Sequence, residues 1–252
     1  MAKRLLKATG EVNEAGMRIA NPPEDKIRVA ILDDHQSALD GLISRLSAKE
    51  NIQVVGTAAY GNELDSLLGQ HQIDVLVLDV GVPNSAQDSS PYPILHILPR
   101  LRKTYPQMAI LVISMHDQRA LVKAILDAGA TGYILKDDRQ ASLQLAEAVT
   151  LVNTGGIYLS EKLRFLLVDS NAKDDHLWLS ARQREALSLA AAYPDITTEA
   201  LAARMNIAPS TVRNLLSKAY KRLHVRNRSA ATEKARALGL IAPYVPGANL
   251  TN

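Results

Sequence analysis

Apolar residues come in two rhythms along this chain. In the first part, short runs of strand-like character recur at 27–33, 52–57, 74–79, 109–114 and 131–135. Between and after them lie segments with helical spacing, at about 36–48, 61–69, 93–104, 117–128 and 139–153. The runs at 74–79 and 109–114 are almost continuously apolar, as strands covered on both faces must be. Five alternating strand–helix units predict a five-stranded, parallel, doubly wound α/β sheet.

The rhythm then changes. Gly155-Gly156 breaks the preceding helix, Leu159 to Val168 has the pattern of one short helix, and Ser170 to Asp175 is polar, as in a linker. From Leu177 the spacing is helical throughout. Ser180 can cap a helix to about Tyr193, and Thr197 or Thr198 a second over about 198–205. Met205 to Ala208 makes a tight turn. A third helix opens on Pro209, a favoured first-turn position, and runs to about Leu223. A fourth, near Ser229 to Leu238, stops at Gly239. The predicted division is therefore a tail at 1–26, an α/β body at 27–153, a linker with a short helix at 154–176 and an all-α four-helix body at 177–252.

Charge separates the two bodies. Residues 177–252 carry 11 Lys/Arg against 4 Asp/Glu, a net of +7, whereas residues 27–176 carry 13 against 18, a net of −5. With +1 in the tail, the total returns to +3. An acidic body joined to a basic one points to a polyanionic partner for the second. There is no cysteine, which excludes disulfides, thiolate metal sites and a cysteine nucleophile and fits a cytoplasmic setting. No run approaches the roughly 18 apolar residues of a membrane span. The tail has no apolar stretch suited to a signal sequence, so loose attachment is expected there.

The strand ends hold the candidate chemistry. Asp33-Asp34 ends the first run, Asp79 the third and Ser114 the fourth, and Lys136 follows the fifth. In open parallel sheets, ligands sit outside the carboxyl ends of the strands, and that rule gathers these side chains at one edge. Carboxylates and a backbone carbonyl suit a hard cation such as Mg²⁺, which takes its remaining oxygens from water and phosphate. A carboxylate beside that cation can attack phosphorus. A lysine and a hydroxyl can stabilise the transferred oxygens. Each residue alone reads more simply, as a turn, cap or loop residue; the combination is what carries weight.

This set resembles the receiver domain of two-component response regulators, over about residues 27–153, with the sheet order 2-1-3-4-5. Gly129-Ala130-Thr131-Gly132-Tyr133-Ile134-Leu135-Lys136-Asp137 is especially similar to the NarL/FixJ subgroup. The resemblance implies that Asp79 is the phosphoacceptor and that Asp34, Asp79 and the Gly81 carbonyl hold Mg²⁺, with Asp33 behind them. Ser114, Lys136 and Tyr133 would be the phosphoryl-binding and switch residues. Phosphorylation would draw Ser114 and Lys136 towards the new group and let Tyr133 turn inward. Pro83 matches the family's proline after the acceptor, but the stretch from Asn84 to Pro93 is longer than usual and lacks glycine. Pro99 falls inside the following helix pattern, where it should kink or delay the helix.

The basic body resembles the LuxR-type helix-turn-helix, through Leu179–Leu187, Thr198–Ile207, Ser210–Asn214 and Leu223–Ser229. In its third helix Val212, Leu216, Ala219 and Leu223 share one face. Ser210, Thr211, Arg213, Asn214, Ser217, Lys218, Lys221 and Arg222 are the candidate DNA-binding residues. Arginine can pair with guanine and asparagine with adenine in the major groove. From Lys218 to Arg228 there are five basic residues and no acidic one, which suits phosphate contact. Two positions depart from the family: Leu215, where a polar residue is common, and Ala208, where a capping serine or threonine is.

The expected protein is thus a DNA-binding regulator, not an enzyme, phosphorylated by a cognate histidine kinase and acting on double-stranded DNA as a homodimer, away from membranes. A second reading keeps the DNA-binding role and makes the receiver a phosphate-independent docking module. A remote one, an aspartyl-phosphate phosphatase, calls for a second Asp where Gly81 stands.

Overall fold

The computed structural model describes residues 26–168 and 179–243. The expected tail, apart from Lys26, and the polar stretch 170–175 lie outside the described residues. In the first body β1 (Ile27–Leu32), α1 (Gln36–Ser47), β2 (Ile52–Ala58) and α2 (Leu64–Gln70) lead to β3 (Val75–Asp79). A small antiparallel hairpin follows, β4 (Pro83–Ser85) and β5 (Asp88–Pro91). Then come α3 (Ile94–Thr104), β6 (Ala109–Ser114), α4 (Arg119–Asp127), β7 (Gly132–Leu135), α5 (Arg139–Leu143) and α6 (Leu145–Asn153). β8 (Tyr158–Leu159) and α7 (Glu161–Val168) complete it.

The sheet has six strands in the order β2-β1-β3-β6-β7-β8, where five were expected. The first five keep the anticipated 2-1-3-4-5 arrangement. The sixth comes from the segment after the last helix and pairs parallel with β7, Gly132 opposite Tyr158 and Tyr133 opposite Leu159. Its anchor is Ser160, whose Oγ accepts from Leu135 N–H at 2.9 Å and whose N–H donates to Tyr133 O at 3.1 Å.

Alternation along the strands divides the core. Leu76, Leu78, Ile110 and Val112 face one layer, with α2, α3 and α4. Val75, Val77, Leu111 and Ile113 face the other, with α1 and α6. Successive side chains of a strand point to opposite faces, so a strand sandwiched between two helical layers must be apolar at every position. β3 and β6 are buried throughout. Pro99 lies within α3 without ending it, and the helix begins at Ile94, close to where the apolar spacing placed it.

At the opposite end of the sheet from the strand-end acids, Asp74 takes Arg28 side-on. Its Oδ2 accepts from Arg28 Nε at 2.9 Å and from the Arg28 backbone N–H at 2.8 Å, and its Oδ1 from NH2 at 2.7 Å. These bonds from Arg28 hold the Asp74 carboxyl below its ordinary range. Both groups are partly exposed, so solvent screens the pair. Asp74→Asn is expected to cost about 1 kcal/mol at neutral pH. A carboxylate with a depressed folded pKa stabilises fully above its unfolded value, about 3.9, and loses that contribution as pH falls through the folded value. Urea midpoints of the two chains should therefore differ at neutral pH and converge in acid.

The second body comprises α8 (Ala181–Ala192), α9 (Thr198–Met205), α10 (Pro209–Leu223) and α11 (Arg228–Ala237), the four expected helices. Ser180 caps α8 in a reciprocal box with Gln183, Thr197 caps α9 and Asn227 caps α11. Asn206 and His224 end α9 and α10 in the left-handed region, at φ 53° and 52°. The core of this body is continuous with the α3 layer of the first, because α8 packs on α3 and on β5.

Candidate functional site

β1, β3 and β7 end at one edge of the sheet, and their polar tips meet there. Lys136 Nζ donates to Asp33 Oδ2 at 2.7 Å and to Asp79 Oδ2 at 2.8 Å, joining residues from three strands. Asp79 Oδ1 accepts from Gly81 N–H at 3.2 Å, and Asp33 Oδ1 from His35 N–H at 3.0 Å. Asp33 and Asp79 are 1% and 8% exposed. Burial pushes the Asp79 carboxyl above its ordinary value, and Lys136 offsets only part of that. Burial would lower the Lys136 ammonium, yet Asp79 and Asp33 together raise it. Both shifts describe carboxylates short of positive charge.

Asp33, Asp34, His35 and Asp79 each offer a ligand atom, all within 4.8 Å of one another. Three carboxylates against one ammonium leave excess negative charge in a partly dry place, which fits a divalent cation. Oxygen-rich donors favour a hard ion such as Mg²⁺. His35 was not anticipated. It is also bound to Asp34, Nδ1 to Oδ1 at 2.9 Å, and its place directly after the acidic pair was the available signal.

Ser114 is fully buried, and its Oγ accepts from His116 N–H at 3.1 Å. Lys136 N–H donates to Ser114 O at 2.8 Å, so the two loops are tied. Tyr133 departs from the expected resting state. It is already fully buried, with its hydroxyl donating to His116 O at 2.7 Å, and burial raises its pKa.

In the second body Val212, Leu216, Ala219 and Leu223 are buried as anticipated. Ser210, Thr211, Arg213, Asn214, Ser217, Lys218, Lys221 and Arg222 are all exposed on α10. One of them has another attachment: Arg222 NH1 donates to Gln183 Oε1 on α8 at 3.2 Å. Leu215 is partly buried and packs against the core, and Ala208 leaves the head of α10 without a side-chain cap.

Two family models match this chain. Residues 29–148 match the response regulator receiver domain, and residues 177–235 the bacterial regulatory proteins of the luxR family. The probable transcriptional regulatory protein NarL of Mycobacterium tuberculosis is 31% identical over 220 residues, covering 86% of this chain and 97% of that protein. The chain belongs to the NarL/FixJ family of two-component response regulators. As a member it is a DNA-binding transcriptional regulator, not a catalyst. The oxygen regulatory protein NreC of Staphylococcus carnosus is a further relative of this response regulator, 28% identical over 219 residues, with 83% of this chain and 96% of NreC covered. In fold it is similar to RcsB from Salmonella enterica serovar Typhimurium, solved bound to promoter rprA in the presence of the phosphomimetic BeF3−. That match has a TM-score of 0.60 at 23% identity and covers 83% of this chain and 98% of RcsB. No helix among the described residues of the response regulator is long and apolar enough to cross a membrane.

Proposed function

We propose that Asp79 accepts a phosphoryl group and that its modification controls DNA binding by the second body. The bridge from Lys136 Nζ to both Asp33 and Asp79 carries this reading, because it places the ammonium where phosphoryl oxygens would arrive. An Asp79 oxygen attacks phosphorus. The bond from phosphorus to the donor breaks, and its electron pair leaves with the donor, the phosphohistidine of a cognate kinase or a small acyl phosphate. Asp34, Asp79 and the Gly81 carbonyl would hold Mg²⁺, with Asp33 behind them, and the ion supplies neutralisation of the phosphoryl charge. Lys136 and the Ser114 hydroxyl would then hold phosphoryl oxygens, at the expense of the bonds Lys136 makes at rest. The phosphoryl group adds roughly −1.5 to −2 charges if it behaves like other phosphorylated side chains.

On DNA, Ser210, Thr211, Arg213, Asn214, Ser217, Lys218, Lys221 and Arg222 would line the major groove, with the basic end of α10 on phosphates. A homodimer would set two such helices on two half-sites. We take residues 27–153 as the receiver, 154–176 as the linker and 177–252 as the DNA-binding domain.

The inward Tyr133 favours a second reading, in which the receiver rests in its switched arrangement and DNA binding needs no phosphate. One experiment separates the two. Incubation with acetyl phosphate and Mg²⁺ should add a phosphoryl group to Asp79, located by peptide mass, and should change affinity for DNA. Asp79→Asn should show neither response. Equal DNA affinity with and without a confirmed adduct would establish the second reading.

A further inference from the structure

The stretch expected to be a long loop is the β4–β5 hairpin, and it helps to seat α8 on the first body. Tyr92 fixes its base: the N–H donates to Val82 O at 2.9 Å, and a Cβ at Gly61 would stand 2.1 Å from the ring. At the hairpin, Asn84 Nδ2 donates to Ala192 O at 2.9 Å in the last turn of α8. Nearer the head of α8, Glu185 meets His96 of α3, Oε1 to Nδ1 at 2.9 Å, with both side chains largely buried. Beside that contact the two bodies leave a gap. A cleft of about 310 Å³ opens between Leu95 and Pro99 of α3, Ala124 and Ala128 at the end of α4, and the head of α8. Its size is at the lower limit of small-molecule sites.

One charge on the wall of this cleft lacks a partner. Arg184 is 7% exposed, and among the described residues its guanidinium has neither a hydrogen bond nor an ion pair. Burial pushes its pKa down, and Asp127, acting through space, offsets only part of that. The other charges on the wall are matched. Burial would raise the Glu185 carboxyl, yet His96 and Arg182 hold it below its ordinary range, with Arg182 NH1 donating to Oε2 at 2.8 Å. Asp127 has Lys123, one turn back on its own helix, at 3.7 Å. A guanidinium carries five N–H donors and stays charged. Held nearly dry without an acceptor, it is destabilising until an anion arrives.

We propose that this cleft binds a small monocarboxylate with a compact apolar body, its carboxylate on Arg184. Charge decides the first half. One unmatched cation suits one negative charge, whereas a phosphate dianion would set its second charge beside Asp127 and Glu185. The planar fork of a guanidinium also fits a carboxylate, with two parallel N–H···O bonds. The head of α8 forms part of the wall, and its N–H dipoles favour negative charge. The remaining walls decide the second half. Leu95, Pro99, Ala124 and Ala128 offer aliphatic side chains, which reward an apolar body and not a hydrophilic one.

Benzoate is the probe. Calorimetric titration into the full chain, without a phosphodonor, should show saturable one-to-one binding. Acetate lacks the apolar body and benzyl alcohol the charge; each should bind about tenfold or more weakly. Inorganic phosphate should bind no better than acetate. Arg184→Met keeps an apolar stem, and should weaken benzoate by about tenfold or more. Its thermal midpoint without ligand should equal or exceed the parent's, because the bare charge is gone. Ala128→Leu leaves Arg184 in place, fills the cleft from the other side and should block benzoate to a similar degree. In the parent, the Arg184 Nε signal, identified by its loss from the NMR spectrum of Arg184→Met, should move with benzoate. If Arg184→Met melts lower than the parent, Ala128→Leu and that signal decide. Undiminished binding in a folded Arg184→Met overturns the site. Binding lost there yet kept in Ala128→Leu overturns the cleft as its seat. No saturable binding to the parent overturns the proposal and leaves water as the partner of Arg184. Phosphate that moves the Arg184 signal and binds as tightly as benzoate overturns the monocarboxylate.

Discussion

Removing the Lys136 ammonium should cost the fold about 3–5 kcal/mol, the usual penalty for stranding a buried ion-pair partner. Among the described residues, Lys136 is the lysine or arginine paired with Asp33 and Asp79, and both acids are nearly out of water. In Lys136→Ala the two carboxylates would face each other uncompensated. Urea unfolding of the purified chain should show the loss as a lower midpoint at unchanged slope. Two further results belong to the same expectation. Mg²⁺ should raise the midpoint of the variant more than that of the parent, since the ion replaces the missing charge. Asp79→Asn should recover part of the loss when combined with Lys136→Ala, because it removes one stranded carboxylate. Strictly additive costs in that cycle would mean that Lys136 and Asp79 do not interact.

The second large effect concerns DNA. Arg213→Ala should weaken specific binding by about 1–3 kcal/mol, roughly 5- to 150-fold, with relaxed preference at one base position. Arg213 is exposed on α10, and among the described residues its ion pair is a 3.9 Å contact to Glu199, itself exposed, so it is available to a base edge at little cost. Lys221→Ala should behave differently. It should lower affinity for all sequences alike and reduce the slope of log affinity against log salt by about 1, as loss of one phosphate contact does. Anisotropy titrations over a salt series measure both. A uniform loss for Arg213→Ala with a changed salt slope would move that residue from base to backbone contact.

The acidic edge was legible in the sequence because doubly buried strands leave little ambiguity. Val75 to Leu78 and Ile110 to Ile113 cannot alternate with polar residues, and the first polar residue after each must mark the strand's end. Helix limits in the second body were equally plain, since Ser180, Thr197 and Pro209 are start signals of a local kind. The β4–β5 hairpin was not legible. Pro83-Asn84-Ser85 and Asp88-Ser89-Ser90-Pro91 have the composition of turns, and their pairing depends on contact with Tyr92, Gly61 and α8. β8 was hidden for a related reason: two residues cannot display a period of two. The inward position of Tyr133 is a choice between packings of one side chain, and His116 enters the site through its backbone, which sequence pattern does not reveal.

The sixth strand has a practical consequence. A fragment ending at Asn153 would retain every residue matched to the receiver family, yet it would lose Tyr158, Leu159 and Ser160 from the flank of β7. The Leu135 N–H would lose its acceptor, and the buried row Gly132 to Leu135 would become an open sheet edge. Exposed apolar edges recruit other chains by strand addition. Such a fragment should self-associate by edge pairing, and on a sizing column that artefact would pass for the proposed homodimer. Fragments of this protein meant to report on receiver assembly should therefore extend through Val168.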